Sequence, residues 1–316
     1  MRKKILLIGG SLNQTKMMHQ VAVQLPEFEC WFSPYFGDGL VQAAAEKGLL
    51  DFSIFGGKHM RATQAFLKTN NLQVDYKGQR NRYDLVVTCS DLIVPRNIRH
   101  LPIVLVQEGM MTPENIVYHI VRRLGLPRYL GNTSMTGLSH AYVKFCVASE
   151  GFKALFVRKG IAPEKIEVTG IPNFDNLGAI AANDFPHRDF VLGATSCLRE
   201  SGQFENRRAF IRKVLDVAAG QPVIFKLHPN ENHRRASQEI ARFAPGSLVF
   251  ANGSIDPMIA NCSAMVTKFS SVLLVALGMG KPVYSDIEPE LAETLRPLQN
   301  GGTSAGRIAD ICRTFL

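Results

Sequence analysis

The sequence predicts an α/β protein built from two doubly wound domains that face a cleft. Short β-branched runs alternate with helix-period segments along most of the 316 residues, which is typical of parallel sheets covered by helices. This rhythm stops over residues 173–189 and restarts at Phe190. The length suffices for two cores. We therefore predict two Rossmann-like domains, residues 1–185 and residues 186–316.

The first half is predicted from short apolar runs that end in polar residues or in glycine. A strand over residues 5–8 leads through a glycine turn at 9–11 into a helix over 16–25. A second helix is predicted over 149–160. The further strands predicted in this half are Leu85–Thr88, Ile103–Val106, 145–148 and 166–172.

The second half repeats the alternation after the linker at residues 173–189. Its predicted strands are Phe190–Ala194, 222–227 and Leu248–Phe250, followed by a short apolar segment at 264–267. Its predicted helices are 206–219, 231–243 and 271–279.

The charge balance is basic: 36 Lys and Arg residues against 27 Asp and Glu residues give a net charge of +9. No run of like charge and no basic–aromatic ladder occurs, which argues against nucleic acid as the partner. An anionic substrate or an anionic membrane face fits better. The simplest alternative is a solvated basic surface.

The six cysteines are scattered without paired or metal-type spacing, which predicts no disulfide framework and a reducing compartment. Cys89 and Cys146 lie in strand-like apolar runs and are predicted to be buried. The apolar run at 5–8 is too short for a signal segment, and no window is long enough to cross a bilayer. We expect a cytoplasmic protein; a peripheral position at the inner face of the membrane is the alternative.

Two motifs point to an anionic ligand. His228 follows Lys226 at the end of a predicted buried strand, and Phe269-Ser270-Ser271 opens an apolar helix pattern. A histidine at a strand end and serines beside helix amides suit a phosphate group. The alternatives are a histidine that merely ends a strand and plain helix caps.

Two acids follow strands of the first half. Glu108 comes after Ile103–Val106, and Asp91 comes after Leu85–Thr88. Ligands of open parallel sheets bind at the carboxyl ends of strands, so Glu108 is the candidate general base if burial raises its pKa. Asp91 is the alternative base. A loop acid paired with an arginine explains Glu108 equally well.

Other candidates for contact with phosphate are Gly10, Ser11 and Lys16 after the first strand, and Arg199 in the second half. A compact turn and a surface ion pair are their simpler explanations. Residues 121–130 alternate basic and apolar side chains. This segment fits an anionic acceptor, a membrane surface, or an ordinary amphipathic helix with solvated arginines.

These motifs resemble the GT-B superfamily, which contains nucleotide-sugar glycosyltransferases, non-hydrolysing UDP-N-acetylglucosamine 2-epimerases and CDP-glycerol polymerases. Residues 10–17 resemble the first loop of the epimerases, and residues 84–109 resemble their central strand pair. Residues 147–175 are the most similar stretch. His228-Pro229, Ser270-Ser271 and Gly280-Lys281-Pro282 fall where the superfamily places its donor site.

Departures from the epimerase pattern disfavour an active 2-epimerase. Leu12 stands in place of an arginine, residues 197–200 replace a His-Arg pair, Phe269-Ser270-Ser271 replaces a Ser-Gly-Gly turn, and no glutamate occurs over 273–277. An acid before glycine, His-Pro and Ser-Ser are instead similar to bacterial sialyl- and Kdo-transferase-like proteins. His-Pro and Ser-Ser also occur in CDP-glycerol polymerases. These resemblances imply a cytidine-linked donor and Glu108 as the base.

The resemblance implies a glycosyltransferase-type enzyme that moves a sugar or sugar-like group to a glycan or lipid-linked acceptor. The donor, linked to CMP, CDP or UDP, is a substrate, and no cofactor is expected. His228, Ser270 and Ser271 would hold it, with Glu108 or Asp91 activating the acceptor. The absence of an Asp-x-Asp motif predicts no metal. Alternatives are a UDP-N-acetylglucosamine 2-epimerase-like isomerase and a non-catalytic nucleotide-binding relative; a homodimer is also left open.

Overall fold

The computed structural model describes residues 2–51, 53–201, 203–268 and 270–316. They form two compact units, Met1–Asp175 with Asn300–Leu316, and Asn176–Gln299. Each unit holds one parallel sheet with helices between its strands. The predicted α/β class with two doubly wound sheets is confirmed.

The strands are Lys4–Gly9 (β1), Glu29–Pro34 (β2), Leu85–Thr88 (β3), Ile103–Val106 (β4), Lys144–Val147 (β5), Ile166–Val168 (β6), Phe190–Ala194 (β7), Val223–Lys226 (β8), Leu248–Phe250 (β9), Cys262–Thr267 (β10) and Val283–Tyr284 (β11). The α-helices are Leu12–Val23 (α1), Gly39–Glu46 (α2), Gly57–Thr69 (α3), Ile116–Leu124 (α4), Glu150–Arg158 (α5), Arg207–Ala218 (α6), His233–Phe243 (α7), Asp256–Asn261 (α8), Val272–Gly278 (α9), Pro289–Thr294 (α10) and Ser304–Arg313 (α11). Short 3₁₀ turns occupy Tyr76–Gly78, Arg128–Met135, Pro163–Lys165, Leu177–Ala181 and Arg199–Ser201.

The sheet of the first unit has the order β2-β1-β3-β4-β5-β6, and its strand pairs are parallel. Strands β1, β3 and β4 are apolar runs buried on both faces, as expected for a sheet covered by helices on both sides. The strand order reverses between β1 and β3. Carboxyl ends beside such a reversal form the usual ligand crevice of open α/β sheets.

The sheet of the second unit has the order β11-β10-β7-β8-β9, again parallel. Here the order reverses between β7 and β10. Gly193 lies in the buried strand β7, where a Cβ atom would come within 2.7 Å of the Phe225 ring. Close packing between neighbouring strands therefore requires glycine at this position.

Most predicted elements are found with shifted ends. The predicted strands Leu85–Thr88, Ile103–Val106, Phe190–Ala194 and Leu248–Phe250 agree with the structure at both ends. The predicted helix 16–25 begins earlier, at Leu12, because Ser11 caps it. The predicted helix 231–243 begins later, at His233, because the Asn232 side chain accepts a hydrogen bond from Arg235 N at 3.0 Å. Residues 29–69, for which no element was predicted, hold β2, α2 and α3.

The C-terminal helix returns to the first unit, so the two units differ from the predicted ranges 1–185 and 186–316. Helix α11 packs against α1 and buries Ile308 and Cys312 completely. The Arg313 side chain also donates to Glu27 Oε1 at 2.7 Å. These are long-range contacts, which a pass along the sequence does not reveal.

The six cysteines are free thiols, and the predicted burial of Cys89 and Cys146 is confirmed. Within the residues that the structure describes, no helix has both the length and the apolar character needed to span a membrane.

Candidate active site

The turn between β1 and α1 is closed by a reciprocal capping box. Ser11 Oγ accepts a hydrogen bond from Gln14 N at 3.2 Å, and Gln14 Oε1 accepts from Ser11 N at 3.3 Å and from Gly10 N at 2.6 Å. The Ser-x-x-Gln spacing is a signal for such a box. Because Gln14 Oε1 accepts these two hydrogen bonds within the turn, its amide nitrogen Nε2 points away from the turn as a donor.

The Glu108 carboxylate receives that donor. Gln14 Nε2 donates to Glu108 Oε2 at 2.5 Å, and Ser11 Oγ donates to Glu108 Oε1 at 3.1 Å. Glu108 follows β4 by two residues and is half-buried. Burial raises the pKa of its carboxyl, although the hydrogen bonds from Gln14 and Ser11 act in the opposite direction. A carboxylate with a raised pKa at a strand end is suited to accept a proton from a hydroxyl.

Asp91, the alternative base, has a different environment. Its side chain is buried; Oδ1 accepts from Gly137 N at 2.9 Å, and Oδ2 accepts from Ser139 N at 3.0 Å. Arg128 donates to its backbone carbonyl. Both carboxylate oxygens thus hold the loop at 137–139, an arrangement that favours a structural role over proton transfer.

Gly10 and Lys16 were predicted to approach a phosphate. A Cβ atom at Gly10 would lie 2.8 Å from Ile54 Cδ1 and 2.9 Å from Gln14 Oε1. Close packing of the turn is therefore sufficient reason for glycine at this position. Lys16 lies on the exposed face of α1.

In the second unit, His228 follows β8 and is fixed through its backbone and its ring. Its amide donates to Thr195 Oγ1 at 2.9 Å and to Glu231 Oε1 at 2.8 Å. Its Nδ1 accepts from Asn230 N at 3.1 Å. Because Nδ1 acts as an acceptor, the neutral ring carries its proton on Nε2. Nε2 lies 3.8 Å from Cys197 Sγ and is the ring atom with a proton to donate.

A buried charge network lies behind the His228 turn. Arg207 Nη2 donates to Glu231 Oε2 and to Glu205 Oε2, both at 2.9 Å. The Thr195 hydroxyl also donates to Glu231. Arg207 is only 3% exposed, and both glutamates are buried. One guanidinium thus neutralises the carboxylate that holds the His228 amide.

Lys226 and Arg199 are engaged within the second unit. Lys226 Nζ donates to the carbonyls of Leu227 at 3.2 Å and Ala251 at 3.0 Å, and burial lowers its pKa. Arg199 forms a bidentate pair with Glu239, at 2.7 and 2.8 Å, and this hydrogen bonding raises the pKa of the guanidinium. These partners account for both side chains without a phosphate.

Ser270 and Ser271 follow β10, the strand next to β7 at the reversal point. Ser271 is the N-cap residue of α9 with helical angles (φ −63°, ψ −19°) instead of the extended angles usual for a serine cap. Ser271 is exposed and Ser270 is half-buried. Phe269, the first residue of the predicted motif, lies outside the described residues.

The structure thus brings together one pair of predicted residues, Ser11 and Glu108, and holds His228 separately on a turn after β8. Sequence reasoning missed the residues that hold them, which are Gln14, Thr195, Glu205, Arg207 and Glu231. Only Gln14 had a local signal, the capping-box spacing. Among the described residues, no group of three or more His, Cys, Asp or Glu side chains could hold a metal ion.

Comparison of the sequence with protein-family models and with curated proteins gives no match. Solved structures are similar over nearly the whole chain. S. aureus MnaA with UDP has 11% identity and a TM-score of 0.61, covering 100% of this chain and 97% of that one. UDP-GlcNAc 2-epimerase from Neisseria meningitidis bound to UDP-GlcNAc has 12% identity and a TM-score of 0.56, covering 98% and 100%.

A variant of the wall teichoic acid polymerase TagF has 10% identity and a TM-score of 0.52, covering 99% of this chain and 88% of that one. The chain therefore has the GT-B fold, as the motifs predicted. At these identities the similarity establishes the fold, and the chemistry has to be argued from the site itself.

The raised pKa of Glu108 predicts a pH-dependent stability. The folded protein binds this proton more tightly than the unfolded chain, whose carboxyl keeps its ordinary pKa of 4.5. The stabilising contribution is full below that value and is lost as the pH rises through the raised pKa. Glu108→Gln, which cannot ionise, should therefore gain stability relative to the parent as the pH rises from the ordinary pKa of 4.5 through the raised pKa of Glu108. Urea unfolding of both proteins over this pH range measures the difference.

Loss of the Arg207 charge should leave buried Glu231 without its ion-pair partner, and buried Glu205 with only Arg199 Nε at 3.6 Å. We expect Arg207→Met to lower the free energy of unfolding by about 3–5 kcal/mol. Arg212→Met, an exposed position on the same helix, should change it by less than about 0.5 kcal/mol. Equal effects of the two substitutions in urea unfolding would contradict the assigned network.

Proposed function

We propose that this protein is a GT-B-type transferase that moves a sugar or sugar-like group from a nucleotide-activated donor to a hydroxyl group of a glycan or lipid-linked acceptor. The observation that carries the proposal is Glu108, a half-buried carboxylate with a raised pKa held by Ser11 and Gln14 beside the carboxyl end of β4. Enzymes tune carboxylates in this way for general-base catalysis near neutral pH.

In the proposed reaction, Glu108 removes the proton of the acceptor hydroxyl as its oxygen attacks the anomeric carbon of the donor. The bond from that carbon to the donor phosphate oxygen breaks, and the electron pair leaves with the nucleotide. The Glu108 proton is then released to solvent. Because the base must be ionised, activity should fall as the pH drops through the raised pKa of Glu108.

The second unit would hold the donor. His228, with its ring proton on Nε2, can donate a hydrogen bond to a phosphate oxygen, and the Ser270 and Ser271 hydroxyls offer two more donors. Such donors offset the charge that develops on the leaving nucleotide, in place of a metal ion. Asp91 and Lys226 bond to backbone groups, and Arg199 forms a bidentate pair with Glu239, so we assign these three side chains structural roles. Glu108 differs because its partners are the side chains of Ser11 and Gln14.

An epimerase-type isomerase is the second candidate function, favoured by the fold similarity to S. aureus MnaA with UDP and to the Neisseria meningitidis UDP-GlcNAc 2-epimerase. Leu12, in place of the epimerase arginine, and the lack of a glutamate over 273–277 argue against it. The two functions differ in one requirement: an isomerase converts its nucleotide sugar without an acceptor, whereas a transferase needs one. The transferase proposal includes a cytidine-linked donor and a homodimer.

Nucleotide binding is the first test. Thermal unfolding should be measured with UDP, CDP, CMP, GDP and ADP; a nucleotide at a hundred times its dissociation constant adds about 2.7 kcal/mol of stability. We expect a shift with a cytidine or uridine nucleotide that His228→Ala loses and the exposed His100→Ala keeps. A full thermal shift in His228→Ala would show that the His228 side chain does not hold the nucleotide. No shift with any of these nucleotides would contradict the transferase proposal.

The role of Glu108 is tested by Glu108→Gln. Release of nucleotide from CMP-, CDP- and UDP-linked sugars, in the presence of a glycan and lipid extract, should fall about 10²–10⁴-fold, because the amide cannot accept the proton. The thermal shift with nucleotide should persist. Unchanged turnover would exclude Glu108 as the base; conversion of the donor sugar without the extract and without release of nucleotide would identify an isomerase. Glu150→Gln serves as the control.

A further inference from the structure

Residues 116–130 of the first unit expose an unusual amount of apolar surface. Ile116 is 78% exposed and Leu124 is 66% exposed. We call this region the α4 surface; its exposed apolar side chains are Ile116, Val117, Ile120, Leu124, Leu126, Tyr129 and Leu130. Contiguous exposed apolar patches are rare on soluble proteins and commonly mark an interaction site.

Helix α4 has two apolar faces, and only one of them packs against the protein. Tyr118 and Val121 are buried in a small core with Met135. Successive residues of a helix are about 100° apart, so Ile116, Ile120 and Leu124, spaced by four, line a different side. The helix is therefore anchored along one face and presents a second apolar face outward.

The charged side chains within the segment 115–149 are basic. No Asp or Glu occurs between Glu114 and Glu150, whereas α4 ends in Arg122 and Arg123. Arg123 is exposed and lies three residues after Ile120, beside the apolar row. At the edge of the region, Glu114 lies 4.0 Å from Lys159 Nζ, and this cation offsets its charge.

We propose that the α4 surface docks on an anionic phospholipid bilayer. Ile116, Ile120 and Leu124 enter the boundary between headgroups and acyl chains, and Arg123 contacts lipid phosphates. An apolar helical face with flanking basic residues is the pattern of helices that lie in the plane of a membrane interface. The nine residues of α4 extend about 14 Å, against a hydrocarbon core of about 30 Å, so this helix lies on the bilayer and does not cross it.

Charge favours a bilayer over a second copy of the chain. In a two-fold self-contact the α4 surface would face an identical surface, which carries Arg122 and Arg123 and, over residues 115–149, no acid to pair with them. Anionic headgroups offer opposite charge across the whole surface. This inference is independent of the reaction proposed above.

The test is sedimentation of the full chain with vesicles of phosphatidylcholine, with and without phosphatidylglycerol. We expect binding to the anionic vesicles, weakened about tenfold or more in the triple variant Ile116→Ser, Ile120→Ser, Leu124→Ser. Arg123→Gln should weaken binding about fivefold, since one basic residue near the surface contributes about 1 kcal/mol.

Matched controls come from exposed positions elsewhere in the same unit. Leu40 is 90% exposed and Leu49 is 66% exposed, so Leu40→Ser with Leu49→Ser removes similar apolar surface away from α4. Arg61→Gln is the charge control. Both controls should bind vesicles like the parent.

Three results would overturn the proposal. They are absence of parent binding to anionic vesicles, equal binding of the parent and the triple variant, and a concentration-dependent dimer that the triple variant abolishes while vesicle binding is unaffected. The thermal shift with nucleotide should be the same in the triple variant and the parent. If neither the parent nor the triple variant shows this thermal shift, the result contradicts the transferase proposal and leaves the membrane proposal intact.

Discussion

The parallel direction of the strands is the constraint on which the candidate site depends. It gathers the carboxyl ends of each sheet at one edge, so residues far apart in sequence meet there. Ser11 after β1 reaches Glu108 after β4, and Thr195 after β7 reaches His228 after β8. An antiparallel pairing would send alternate strand ends to opposite edges and would separate these side chains.

Both units orient their candidate functional group through neighbours that are themselves fixed. Gln14 is fixed by its own capping box before it donates to Glu108. Glu231 is neutralised by buried Arg207 while it accepts the His228 amide. Burying charged groups costs free energy. Here the buried pair of Arg207 and Glu231 holds the His228 turn in one geometry before any ligand binds. The ionised form of Glu108 likewise carries a stability penalty, because burial raises the pKa of its carboxyl.

The elements that could be predicted from the sequence are those with a recognisable local pattern of residues. Buried parallel strands such as β3 and β4 are β-branched runs, and the positions of Glu108 and His228 at strand ends follow from them. Strand β2 was missed because its sequence, ECWFSP, has no β-branched residue and ends in proline. The return of α11 and the pairing of Arg207 with Glu231 are long-range contacts. The inward direction of Lys226 could not be predicted either, since a lysine at a strand end can turn to solvent or to carbonyls.

We propose that the second unit binds the nucleotide at the carboxyl ends of β7, β8 and β10. Amide hydrogen exchange, with and without CDP and with and without UDP, measures this most directly because it reports each segment separately. We expect slower exchange over residues 195–197, 228–231 and 270–274 with at least one of the two nucleotides. Slower exchange confined to residues 9–14 and 107–109, with the second unit unchanged, would contradict it.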